Sequence, residues 1–212
     1  MNLHKAECKV QLKLSFKVML EKEQYSEIAR KYGHYASWAL WTDVGEKPKS
    51  NIGDISMFDL KNNPNILKQL NPNVIMCGLN ISRKIENTFG NFHDGRPQSQ
   101  DYKIRYAFKN TKYYGAYMTD IIKDFEQVVS GTVITFLKKN IDFEKQNIAV
   151  FEQELRELKS LNPLIIAFGN HSFNILEKYF KERYQIVKVP HYSMQISKED
   201  YKALVEKLTE ND

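Results

Sequence analysis

The chain has 212 residues and a mass of 24.9 kDa, enough for one domain with a full core. Hydrophobic residues at 42% and charged residues at 27% are ordinary for a globular protein, and no apolar run approaches the ~20 residues of a membrane helix. A net charge of +5 is compatible with a polyanionic partner without demanding one.

The N-terminal stretch MNLHKAECKVQLKLSFKVML alternates lysine with apolar residues and offers no apolar core or cleavage site. It does not read as an export signal, so a cytoplasmic location is expected. Periodicity predicts a helix over residues 16–31, followed by YASWALW, an aromatic helical patch around Trp38 and Trp41 that belongs to the core. Residues 43–59, with Gly45, Pro48 and Gly53, read as a long irregular loop, a feature often functional in a compact domain.

From there strands and helices alternate. Strands are expected at 74–78, 116–119, 164–168 and 185–189, and helices at 101–110, 132–139, 148–161, 169–179 and 201–208. The turn Ser197-Lys198-Glu199-Asp200 reads as the cap of the last helix. Short apolar strands separated by helices imply a three-layer α/β/α sandwich around a central, mostly parallel sheet of four or five strands. The expected organisation is a single domain whose first ~60 residues form a helical extension. A monomer without a membrane segment is expected.

Cys8 and Cys77 cannot furnish a disulfide framework or a four-thiolate metal site, and the five histidines show no ligand spacing. No metal and no cofactor are expected. There is no Gly-x-Gly-x-x-Gly, no Walker loop and no Gly-x-Ser-x-Gly elbow, which argues against a dinucleotide-binding protein, a P-loop protein or an α/β hydrolase. One turn, Gly169-Asn170-His171-Ser172 at a helix start, has the form of an anion site.

In a parallel sheet, ligands bind beyond the carboxyl ends of the strands. Here those ends carry Gly78-Leu79-Asn80, Thr119-Asp120, Gly169-Asn170 and Pro190-His191-Tyr192-Ser193. Alone, Asn80 reads as a turn residue, Asp120 as a helix cap and His191 as a structural histidine. Together, at the ends of three strands, they read as a site.

The order VIMCGLN, FGNFH, AYMTD, LIIAFGN and VPHYS resembles the uracil-DNA glycosylase superfamily over residues 74–193. That superfamily carries Gly-x-Asn-Pro-Gly or Gly-x-Asp-Pro-Tyr at the first core strand and His-Pro-Ser or Asn-Pro-Ser after the last. The resemblance, closest to the mismatch-directed branch with Asn in the first motif, implies hydrolysis of the bond between a sugar and a uracil, or a related damaged or mismatched base, flipped out of DNA. It implies that Asn80 holds the attacking water, that Phe92 stacks on the base and that His191 binds the base carbonyl. Met194 falls where an apolar wedge enters the duplex.

Around these, Gly78, Leu79 and Asn170 are expected to shape the base pocket, and Ser82, Arg83, Lys84 and Ser193 to contact DNA phosphates. Asp120 can assist the water or stabilise the sugar cation. The segment 102–109 interleaves basic and aromatic residues and reads foremost as an amphipathic helix with a solvated basic face. Two departures stand out, because Ile81 and Tyr192 occupy positions where the family motifs have proline. An alternative that follows from them is a protein of this fold that binds DNA or a base without cleaving it.

Overall fold

A computed structural model describes residues 19–160 and 162–209. Five strands form one sheet in the order β1-β3-β2-β4-β5: β1 (Ser37–Trp38), β2 (Asn71–Asn80), β3 (Ala116–Ile122), β4 (Leu164–Phe168) and β5 (Ile186–Val189). All neighbours are parallel except β1, which runs antiparallel along β3. The helices are α1 (Lys22–Tyr32), α2 (Tyr102–Phe108), α3 (Ser130–Lys139), α4 (Ile141–Glu157), α5 (Gly169–Phe180) and α6 (Lys198–Thr209).

Helices cover both faces, and the alternation of side chains along each strand explains how. On one face Ile75, Cys77, Ile165 and Ala167 meet Ile28 of α1, Leu137 of α3, Phe151 of α4 and Leu176 of α5. On the other, Met76, Met118, Ile166 and Phe168 meet Ile104 and Phe108 of α2 and Tyr201 and Val205 of α6. The fold is therefore the expected three-layer sandwich. Among the described residues, no helix is long and apolar enough to cross a membrane.

Several boundaries differ from the sequence reading. The first helix begins at Lys22, after an extended Glu21, while positions 16–18 lie outside the described residues. YASWALW is core, as expected, but it is not helical. Ser37 and Trp38 form β1 because the free edge of β3 offers them backbone partners, an instance of tertiary context overriding local preference. Trp38 packs edge-on against Tyr117 of β3 at 4.9 Å between ring centres.

Strand β3 runs on to Ile122, so Asp120 is a strand residue and caps no helix. Helix α4 starts at Ile141, ahead of its expected start, because Asp142 and Glu144 place negative charge in its first turn, where the helix dipole favours it. It ends at Glu157.

Candidate functional site

Asn80 ends β2 and lies two residues beyond Gly78, so both face the α2–α6 side of the sheet. Gly78 pairs in register with Asp120, and Phe168 follows the Ala167–Cys77 pair on β4. A cavity of about 440 Å³ opens at these strand ends, within the size range of small-molecule sites. Asn80, Phe92, Asp120 and His191, drawn from four separate segments, all line it. Leu79, Ser82, Arg83, Asn170 and Ser193 line it as well.

Two glycines make the cavity's shape possible. A Cβ on Gly78 would fall on Asp120 Oδ1 and lie 3.4 Å from Phe92 Cζ, so only glycine leaves room for the carboxylate beside the ring. Gly169 adopts φ +85° at the join of β4 and α5, and a Cβ there would press on His191 Cβ at 3.2 Å. The Gly-Asn of LIIAFGN is thus what lets the His191 loop lie against the start of α5.

Asn80 is bound tightly to the chain. Its Nδ2 donates to the carbonyls of Ile81 (2.8 Å), Phe125 (2.9 Å) and Gln127 (2.8 Å). The nitrogen therefore holds the loop after β3 over the strand end, which leaves the amide oxygen as the part of the side chain free to meet a water. Ile81, in the family's proline position, is buried, and its carbonyl also accepts from Gln127 N.

His191 is half-buried and stacks on Tyr192 at 4.3 Å. Its Nδ1 accepts from the Ser193 backbone N–H at 3.2 Å and lies 2.8 Å from Ser193 Oγ. A backbone N–H can only donate, so the ring proton sits on Nε2. Burial also pushes His191 down to about 4, which keeps the ring neutral at physiological pH. It offers the cavity one N–H donor and no charge.

Asp120 is almost wholly buried. Its Oδ2 accepts from Asn91 Nδ2 at 2.8 Å, and Asn91 in turn donates to Tyr35 O and accepts from Phe92 N. Burial raises Asp120 to about 6, partly offset by the Asn91 hydrogen bond and the charge of Lys123. Asp101, which also lines the cavity, is likewise held up at about 6 by burial and accepts from Asp94 N.

Phe92 takes φ +61°, which turns its ring inward against Phe168 (6.1 Å) and Tyr192 (6.3 Å). Tyr192 also meets Phe168 edge-on at 5.3 Å, so the three rings form an aromatic cup. The sequence reading treated Tyr192 only as a lost proline and passed over Asn91 and Asp101. An Asn directly before the aromatic in FGNFH was the one local signal for the Asn91–Asp120 pair.

The expected DNA-facing residues divide. Ser82 and Ser193 are exposed at the rim. Arg83 is at the rim too, but it faces Asp94 at 3.4 Å, an acid that Arg96 also grips. Lys84 and Met194 are exposed outside the cavity wall. The expected solvated basic face of 102–109 is a correction. Lys103 and Arg105 are buried, Lys103 donating to Met194 O and Arg105 to the carbonyls of Pro48 and Ser50. They fasten the His191 loop and the 43–54 loop, because carbonyls at irregular turns need donors that the backbone cannot supply there.

Among the described residues, no three His, Cys, Asp or Glu side chains come together as a metal-ligand set. Comparisons with protein-family models, with curated proteins and with solved structures find no match for the chain.

Proposed function

We propose that the cavity is the base pocket of a DNA glycosylase of the uracil-DNA glycosylase type, which hydrolyses the N-glycosidic bond of a damaged or mismatched base turned out of DNA. One observation carries this reading. Asn80, Phe92, Asp120 and His191, chosen from sequence as strand-end and aromatic positions, line one cavity with an aromatic wall and a neutral N–H donor.

The chemistry follows from the groups present. The base must leave its stack before its sugar bond can be reached. It settles in the cup of Phe92, Phe168 and Tyr192, a contact worth ~1–3 kcal/mol by analogy with base–aromatic stacking. Asn80 Oδ1 accepts a hydrogen bond from a water and holds its oxygen toward C1′. As that water adds to C1′, the N-glycosidic bond breaks, its electron pair leaves with the base, and the proton the water sheds ends on the departing base anion. His191 Nε2–H donates to the base oxygen on which the negative charge collects. The neutral imidazole keeps this one N–H, so the donor is present at physiological pH. Ser82, Ser193 and Arg83 at the opening and the exposed Lys84 next to them in sequence serve as phosphate contacts, and the exposed Met194 as a wedge.

A test is release of base from oligonucleotide duplexes carrying single lesions or mismatches, read as alkali-labile strand cleavage at stoichiometric enzyme. Wild-type protein is expected to cleave at least one substrate, with Asn80→Ala and His191→Ala each slower by about 10²- to 10³-fold. Intact strands for the whole panel would remove the hydrolytic reading. A second reading, binding without cleavage, is favoured by the commitment of Asn80 Nδ2 to three carbonyls. It predicts salt-dependent, lesion-dependent binding with no base released.

A further inference from the structure

The cavity's polar groups are unequal in a way that bears on the base it accepts. Asp120 contributes a carboxylate whose Oδ2 is taken by Asn91, while Oδ1 lies over Gly78 at the edge of the Phe92 ring. A base stacked on that ring presents its rim to Oδ1. Strands β3 and β5 stand on either side of the central β2–β4 pair, so Asp120 and the His191 loop face each other across the cavity. Four strands at about 4.8 Å spacing set their backbones roughly 14 Å apart, a span that two side chains and one base can fill. One wall therefore ends in an acceptor and the other in a donor, His191 Nε2–H.

The donors beside Asp120 are engaged elsewhere. Asn91 spends its Nδ2 on Tyr35 O and Asp120, and Lys123 is buried against Glu154, Thr119 and the Asp120 backbone. Arg83 and Arg96 are occupied at the rim by Asp94. An ionised carboxylate accepts hydrogen bonds only, and a keto oxygen turned toward it is repelled. Uracil and thymine carry keto oxygens at both ends of their hydrogen-bonding edge. Cytosine and guanine carry an amino group at one end and a keto oxygen at the other.

We propose that this pocket selects a base with an amino group at one end of its edge and a keto oxygen at the other, the amino group on Asp120 and the oxygen on His191, over the diketo edge of uracil and thymine. This rests on the base-binding reading above and narrows its substrate class.

The test is calorimetric titration of the full chain with 2′-deoxycytidine, 2′-deoxyguanosine, 2′-deoxyuridine and thymidine. The amino-bearing pair is expected to bind about 10- to 100-fold more tightly than the diketo pair, the range for a hydrogen bond to a charged group. Asp120→Asn can keep its oxygen on Asn91 while placing an N–H where Oδ1 was, so it should invert the order. Equal or tighter binding of 2′-deoxyuridine by the wild type overturns the proposal. So does binding of none of the four, or an unchanged order in a variant whose circular dichroism shows it folded. Should the variant not fold, the wild-type order alone decides.

Base release from duplexes holding a single mispaired cytosine or uracil tests hydrolysis separately. No release with the nucleoside order intact removes the glycosylase reading and leaves the selection standing. Release of uracil with the order reversed does the opposite.

Discussion

Three backbone carbonyls, those of Ile81, Phe125 and Gln127, converge on the single nitrogen of Asn80. An aspartate at this position would turn carboxylate oxygens toward carbonyl oxygens, leaving those of Phe125 and Gln127 without this donor and that of Ile81 with only Gln127 N. Asn80→Asp is therefore expected to lose about 2–4 kcal/mol in urea unfolding, and more than Asn80→Ala, which removes the donor without adding a charge. Equal losses for the two variants would show that the three contacts carry little weight. At this scale the sequence was legible where a side chain sits at or near a strand end, as Asn80, His191 and, two residues short of it, Asp120 do. It was not legible where a partner arrives through an irregular loop. Asn91 reaches Asp120 only because Phe92 adopts a left-handed backbone that no spacing announces.

At the scale of elements, apolar runs and caps were readable because they act locally. Ser197 shows this well, with its Oγ accepting from Asp200 N at 2.9 Å and donating to Asp200 Oδ2 at 2.7 Å at the start of α6. Ser197→Ala should cost about 1 kcal/mol, seen as a lower urea midpoint with unchanged slope. Elements that exist only through a partner were misread. β1 is two residues long and owes its conformation to β3, while the basic residues of α2 are drawn inward by carbonyls of remote loops.

Across the molecule, buried ionisable groups govern the response to pH. On the α4 side of the sheet, Lys123 Nζ lies 2.7 Å from Glu154, which also accepts from Tyr117 and Thr119. Lys123→Met alone leaves a buried carboxylate without its cation and should cost about 3–5 kcal/mol in urea, whereas Lys123→Met combined with Glu154→Leu should recover much of that. Near the cavity, Asp101 and Asp120 are raised to about 6, so the stability they contribute is full in acid and lost as pH climbs through 6. His93 and His191 are depressed to about 4, so theirs is full above their ordinary 6.5 and lost as pH falls toward 4. The two pairs oppose each other between pH 4 and 6. Wild-type stability should be nearly level there, and Asp101→Asn, which keeps an acceptor for Asp94 N, should make it rise with pH. Parallel urea midpoints for the two proteins across that window would contradict the assignment.

Placing β1 on the outer edge of β3 also bears on how the chain folds. Ser37 and Trp38 are translated early, yet their pairing partners, Tyr117 and Met118, are about 80 residues away in sequence. Until those emerge from the ribosome, Trp38 has no strand to pack against, and the nascent chain carries a large apolar ring uncovered. This edge pairing is long-range, so forming it should be slow compared with helix formation.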